Sequence, residues 1–478
     1  MTDGVNDRFD FAAALPSLDR VPAVHLIAIG GSGMSGVARL LLARGVLVSG
    51  SDNVEVAVLE DLRAAGATVT VGYTAQTAAQ LRDDVLVVVS SAIHEDNPEL
   101  AEVRRRGLAV LHRAQALAMV MADADGIAVA GTNGKTTTSA MTVIALRACA
   151  ADPSFAIGAP IAGIGANSAV GHGRSFVVEA DESDGSFVVY HPQIALVTNI
   201  KDDHLDFYGT SATMHSAYAT FAETIRPGGL LVACADDPGS AALAEAVQEG
   251  GRRALTYGHA SDADLRIVAE RGTGLDWHAT LRMPDGRTLA LRLAVPGLHN
   301  LLNAAGVLLA LTEGLGLEAE RVLAGLGQFA GTSRRFEPRG EAAGVRVVDD
   351  YAHNPGKLEA VIRTGLALRD GGRLIVLFQP HLYSRTRNAA DGLARALSLA
   401  DVALVMDVYG AREEPVAGVS GRLISDRVTG CQVDFVPDGA AAVAAVLAVA
   451  QRGDLVLTVG AGDITQLGPI ILERLALR

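Results

Sequence analysis

The sequence predicts three consecutive α/β domains, and three observations carry that prediction. Short runs of Val, Leu, Ile and Ala recur along the chain, continuous rather than alternating, as in parallel strands covered on both faces. Segments with apolar residues at helical spacing separate them, and such strand–helix alternation implies doubly wound sheets. Two of the strands run into glycine-rich turns that open a helix. A length of 478 residues suits about three domains.

The first series starts at AVHLIAIGGSGMSGVARLLLARG, a strand, a glycine turn and a helix, and continues through the strands VLVSGSD, TVTVGY and DVLVVVSSAI. It is expected to occupy residues 1–124 as a Rossmann-like domain. GIAVAGTNGKTTT opens a second series over residues 125–335, with a helix through about Arg147 and strands at SFVVEADE, IALVTNI and GLLVACAD. Within it, LDWHATLRMPDGRTLALRLAVPG alternates on both sides of Pro-Asp-Gly and reads as an antiparallel hairpin. HNLLNAAGVLLAL returns to helix. The third series, residues 336–478, is again Rossmann-like, with strands VRVVDD, RLIVLF, VALVMD, CQVDFV and DLVLTVG. No internal repeat or low-complexity segment interrupts the chain.

Composition narrows the function. A formal charge of −14 argues against a nucleic-acid surface. The polar, acidic N-terminus MTDGVNDRFDF lacks the features of a secretory signal, and no apolar run approaches the ~20 residues of a membrane span. Cys149, Cys234 and Cys431 lie far apart without metal-ligand spacing and read as reduced thiols. A cytoplasmic enzyme is the expectation, with its oligomeric state left open. Lysine occurs only at Lys135, Lys201 and Lys357.

Gly31, Gly33 and Gly36 stand in G-x-G-x-x-G order between a strand and a helix, with Asp52 further on. Glycines there let backbone N–H groups approach a diphosphate, whether of a dinucleotide or of a UDP-sugar. Gly131-Thr132-Asn133-Gly134-Lys135-Thr136-Thr137 is shorter than the usual Walker loop, since its upstream glycine is Gly131 and Val129 stands where that pattern places one. Its amides would cradle phosphates, Lys135 would neutralise them, and the Thr136 hydroxyl could ligate Mg²⁺. Glu179, Asp181, Glu182 and Asp184 crowd one strand end, and Asp203, His204 and Asp206 another. Carboxylate and imidazole from adjacent strand ends could hold a second Mg²⁺.

Taken in order, GGSGMSG, SSAI, NPE, GTNGKTTT, EADESD, DDHLD, PGLHNLLNA, RRFE, DDYAHNP, FQPH and GAGDI resemble the Mur ligase family along the full chain. These are the ATP-dependent amino-acid ligases of peptidoglycan precursor synthesis, and Gly-Thr-x-Gly-Lys-Thr is their phosphate loop. GMSG, EADESD, FQPH and GAGDI resemble the member that adds the first residue. The resemblance therefore implies UDP-N-acetylmuramate and L-alanine as substrates, ATP and Mg²⁺ as cofactors, and an acyl-phosphate route. It implies Lys135 and Thr136 on ATP and metal, Glu179 and His204 on the other Mg²⁺, and His299, Asn300 and Asn303 near adenine. Arg335 and Asp350 would close on the nucleotide from the C-terminal domain, and Tyr351, His353 and Arg385 would meet the amino acid. His353 is a candidate base, with an orienting role equally open. Gly31, Ser32, Gly33, Met34, Ser35, Asp52, Ser90 and Ser91 would serve the sugar nucleotide.

Sister ligases share a carbamylated lysine downstream of the D-H-x-D motif, and no lysine lies between Lys201 and Lys357 here, as in the alanine-adding member. Three positions depart from the pattern: Asn133 and Asn354 stand where histidine is expected, and Leu382 replaces an arginine. Alternatives are a related ligase that attaches a murein tripeptide, a nucleotide-dependent dehydrogenase, and a noncatalytic ATP-binding protein.

Overall fold

The structure, a computed structural model, describes residues 8–411 and 413–478, so the first seven residues of the acidic N-terminus lie outside the described part. The chain forms three sheets. The first holds β1 (Ala23–Ile27), β2 (Leu47–Asp52), β3 (Thr68–Val71), β4 (Leu86–Val89) and β5 (Val110–His112), in the order β3-β2-β1-β4-β5. All its pairings are parallel. The order reverses between β1 and β4, and such a switch point opens a crevice at the carboxyl ends of the strands.

The second sheet holds β6 (Asp125–Ala130), β7 (Ser154–Ala156), β8 (Ser168–Ala169), β9 (Ser175–Glu179), β10 (Ile194–Val197), β11 (Leu230–Cys234), β12 (Ala254–Gly258), β13 (Leu265–Thr273), β14 (Asp276–Arg282) and β15 (Thr288–Leu293). Its order is β15-β14-β13-β12-β11-β10-β6-β9-β7-β8. The phosphate loop follows β6, so the acidic segments after β9 and β10 flank it on either side. The Pro-Asp-Gly turn is closed by Met283 N–H donating to the Arg287 carbonyl at 2.8 Å, and its Gly286 takes a left-handed φ of 85°. The short strands β7 and β8, and β13 beside the hairpin, add to what periodicity suggested.

The third sheet holds β16 (Glu337–Ala342), β17 (Val345–Asp350), β18 (Leu374–Phe378), β19 (Val402–Met406), β20 (Gln432–Val436) and β21 (Leu455–Val459). Its order is β16-β17-β21-β18-β19-β20, parallel except where β16 runs antiparallel to β17. DDYAHNP, GAGDI and FQPH thus leave the carboxyl ends of three neighbouring strands.

These sheets fall into two compact units. One comprises residues 1–271, 278–294 and 298–330, the other 272–277, 295–297 and 331–478. In the larger unit the helix Arg113–Met121 is buried along most of its length, and it shares one apolar cluster with the first sheet and with Phe187, Val188 and Val189 of the short 3-10 helix that follows β9. In the smaller unit separate clusters cover the two faces of the sheet, around Phe378 and Leu457 on one side and Leu377 and Val456 on the other. Each such side chain contributes about 1.5–3 kcal/mol on burial. Among the described residues no helix is long and apolar enough to cross a membrane.

Candidate active site

Gly31 caps the helix Ser32–Ala43, and the chain turns tightly after β1, with the Gly31 amide donating to the Ala28 carbonyl at 3.1 Å. Asp52 holds this turn: its Oδ2 accepts from the Gly30 amide at 2.8 Å. Ser32 and Gly33 line a cavity of about 220 Å³, whereas Met34 and Ser35 are buried in the helix. Asp52, Ser90 and Ser91 do not line that cavity. The Arg113 guanidinium lies against Gly33 so closely that a β-carbon there would collide with it. Arg113, Asn167 and Tyr190 belong to the cavity wall, and none of them was singled out by motif. A cue existed for Arg113: His112 and Gln115 form a capping box that starts its helix at the sheet edge.

Glu179 and Asp181 form the opposite wall. Among the described residues Arg113 is the only cation lining the cavity, and Glu179 and Asp181 are its anions.

The phosphate loop is wired to the strand end after β10. Thr132 Oγ1 donates to the Lys201 carbonyl at 3.0 Å and accepts from the Lys201 amide at 2.9 Å. The Asn133 amide donates to Asn199 Oδ1 at 3.1 Å, while its carbonyl accepts from Thr198 Oγ1 at 2.6 Å and Asn199 Nδ2 at 2.9 Å. Backbone atoms of Asn133 do this work, while its side-chain Oδ1 is buried without a hydrogen-bond partner among the described residues. Gly131, at φ 128°, leaves no room for a β-carbon beside Thr198. Gly134 caps the helix Lys135–Ala148 and packs under Asn303, whose Oδ1 lies 3.0 Å from where a β-carbon would sit. Asn303 Nδ2 is 3.4 Å from Asn300 Oδ1, while His299 lies exposed on the same helical turn. Thr137 sits partly exposed in the first turn after the loop.

Lys135 Nζ donates to the Gly131 carbonyl at 2.8 Å and to Glu182 Oε2 at 2.6 Å. Burial works against its charge, but Glu182, Asp181 and Glu179 reverse that effect and raise its pKa. Burial also pushes Glu182 up, with Lys135 opposing. Thr136 Oγ1 donates to Glu179 Oε1 at 2.9 Å, and Glu179 Oε2 accepts from the Gly158 amide at 2.6 Å. His204, in left-handed backbone at φ 53°, places Nε2 3.8 Å from Glu182 Oε1, so its nearest carboxylate here is Glu182 rather than Glu179. Among the described residues no three His, Cys, Asp or Glu side chains gather as a metal cage. The side chain of Asp206 lies outside the described part.

In the smaller unit, Arg334 and Arg335 lie over the Tyr351 ring, 4.7 and 5.3 Å from its centre. Asp350 is buried and accepts from the Phe336 and Ala352 amides at 2.7 and 2.8 Å, and burial raises its pKa despite Arg335. His353 Nδ1–H donates to the Tyr351 carbonyl at 3.0 Å. Burial and the charges of Lys357, Arg385 and Arg335 hold His353 well below the ordinary imidazole range. Arg385 Nη1 lies 3.4 Å from His381 Nδ1, and His381 stacks on Tyr409. Asn354 caps the helix Pro355–Leu368, accepting from the Lys357 amide at 2.9 Å, a position where asparagine outperforms histidine. Leu382 holds an uncommon φ of 67° at the start of the helix Tyr383–Leu397. Gln379 bridges FQPH and GAGDI, donating to Asp463 Oδ1 at 2.7 Å and accepting from the Ile464 amide at 3.1 Å.

Comparison with known proteins matches this arrangement. Residues 23–124, 129–311 and 334–462 match, in turn, the family models of the Mur ligase family catalytic domain, the Mur ligase middle domain and the Mur ligase glutamate ligase domain. The UDP-N-acetylmuramate–L-alanine ligase of Kineococcus radiotolerans is 50% identical, covering 98% of this chain and 99% of its own. That of Renibacterium salmoninarum is 48% identical over 96% and 97%. Among solved structures, the UDP-N-acetylmuramate–alanine ligase of Thermotoga maritima superposes with a TM-score of 0.79 at 29% identity, covering 95% of this chain and 98% of that one. A phosphate loop between two acidic strand ends, a glycine turn opening the first helix and matches along nearly the whole chain have one common reading: the protein belongs to the Mur ligase family, the ATP-dependent amide-forming ligases.

Proposed function

We infer that the protein joins L-alanine to the carboxylate of UDP-N-acetylmuramate, with ATP converted to ADP and phosphate. One geometric observation carries the reading. Glu179 lines the cavity that begins at the glycine turn and also accepts the hydroxyl of Thr136 in the phosphate loop. A substrate whose diphosphate rests beside Gly33 and Arg113 would therefore present its far end where the γ-phosphate is handled. The names of the full-length relatives supply the substrates.

A carboxylate is a poor electrophile until phosphorylated. Lys135 offsets charge as the γ-phosphoryl group meets the sugar carboxylate, exchanging Glu182 for phosphate oxygens. Mg²⁺, when bound, supplies further neutralisation. Thr136 and Glu179 are the residues that would hold it, and two touching oxygen donors suit a hard cation. Alanine nitrogen then attacks the acyl carbon, the C–O bond to phosphate breaks, and amide and phosphate result. Tyr351, His353 and Arg385 are assigned to the amino acid, and the Arg385 guanidinium suits its carboxylate.

The test is phosphate release with Mg-ATP and UDP-N-acetylmuramate, adding L-alanine, L-serine, glycine or the murein tripeptide singly. Release that needs both the sugar nucleotide and alanine, with the amide seen by mass spectrometry, is expected. Tripeptide preference would reassign the acceptor, and ATP binding without release under any condition would sink the ligase reading.

A further inference from the structure

Asp184 is the acidic-loop carboxylate that the chemistry above does not use, and it has a built partner set. Its Oδ2 accepts from Ser91 Oγ at 2.5 Å and lies 3.4 Å from His112 Nε2, while Oδ1 accepts from the Ser186 amide at 3.1 Å. Ser91 follows β4 and His112 ends β5, so two strands of the first sheet grip a loop of the second. His112 is fully buried between Phe9 and Phe11, and its Nδ1 accepts from the Ala114 amide at 3.2 Å. That acceptance leaves the proton of neutral imidazole on Nε2, facing Ser91 and Asp184. Burial disfavours the Asp184 charge, but hydrogen bonds from His112, Ser186 and Ser91 override it and hold the carboxyl far below the usual range. The group is a fixed anion and not a proton carrier.

Both sides of this contact lead directly to ligand positions. Arg113, next in sequence to His112, lies on the cavity wall against Gly33. On the other side, Asp184 sits two residues from Glu182, the partner of Lys135, and three from Asp181 on the opposite wall. The intervening loop is stiff: the Gly185 amide donates to the Glu182 carbonyl at 3.1 Å, the Tyr208 hydroxyl donates to that same carbonyl, and the Ser183 amide donates to Asp181 Oδ1 at 3.2 Å.

We propose that Ser91, His112 and Asp184 are positioning residues that make binding of the sugar nucleotide and of ATP cooperative, by linking Arg113 to the Glu182–Lys135 pair. This rests on the ligase reading for the identity of the ligands. Ser91, expected from the sequence to serve the sugar nucleotide, does not line the cavity and instead gives its hydroxyl to Asp184, which does not line it either.

The test is calorimetric binding of a non-hydrolysable Mg-ATP analogue, with and without saturating UDP-N-acetylmuramate, to wild type, Asp184→Asn and Ser91→Ala. Wild type should bind the analogue about 5–150-fold more tightly with the sugar nucleotide present, the usual range of such coupling. In the variants the enhancement should fall to about twofold or less, with each ligand alone bound within about threefold of wild type. Ser91→Ala removes one hydroxyl and carries the test if Asp184→Asn does not fold. Enhancement retained in folded variants, its absence from wild type, or equal loss of both separate affinities would overturn the proposal. Failure of wild type to bind UDP-N-acetylmuramate at all would instead refute the ligase reading.

Discussion

Arg113 lines the cavity beside the glycine turn, and Lys135 sits in the phosphate loop. Arg113→Ala is expected to raise KM for the sugar nucleotide about 10–100-fold, the equivalent of one charge-assisted contact, with kcat changed much less. Lys135→Ala should lower kcat by about 10²–10³-fold, since its contact strengthens as charge develops on the transferring phosphoryl group. Steady-state phosphate release measures both. Lys135 was legible from its loop, because glycine, lysine and threonine at that spacing have one chemical use. Arg113 was not, because its role depends on which sheet edge its helix meets. The departure at Asn354 is mild in space, since that side chain caps a helix, whereas Asn133 makes its loop contacts through its backbone and leaves Oδ1 buried without a partner among the described residues.

At the scale of elements, continuous apolar runs identified the parallel strands well, because burial on both faces leaves that signature. The two-residue β8 and the edge strand β16 were missed, since neither has an apolar run to show. The turn between β12 and β13 carries a further device. His259 donates from Nδ1 toward Asp236 at 2.6 Å and from Nε2 toward Glu270 at 2.5 Å, which requires the doubly protonated ring. Burial opposes that charge, but Glu270 and Asp236 outweigh it and raise the pKa above the ordinary imidazole value. The bridge's stabilisation is fully present below pH 6.5 and fades as pH climbs through the raised value. Thermal melts of wild type and His259→Gln should therefore differ most at acidic pH and converge in alkali; a constant difference would refute the charge argument. Asn354→Ala should cost about 1 kcal/mol by loss of its helix cap, read as a shift in denaturant midpoint.

Across the whole molecule, the described residues give the larger unit and the smaller unit each an apolar core, and the described wall of the cavity beside the glycine turn belongs to the larger one. Calorimetry is expected to resolve two melting transitions, with UDP-N-acetylmuramate at a hundred times its Kd stabilising only the larger unit, by about 2.7 kcal/mol. The scarcity of lysine has a different consequence. Lys201 is exposed, Lys357 is partly covered, and Lys135 is mostly covered and paired with Glu182 with its pKa raised, so its amine is a poor nucleophile at rest. With arginine supplying the remaining cationic side chains, an acylating reagent meets few competing amines. Mass-spectrometric tagging at Lys135, with exposed Lys201 as the internal reference, would then count how often the phosphate loop lets go of its carboxylate.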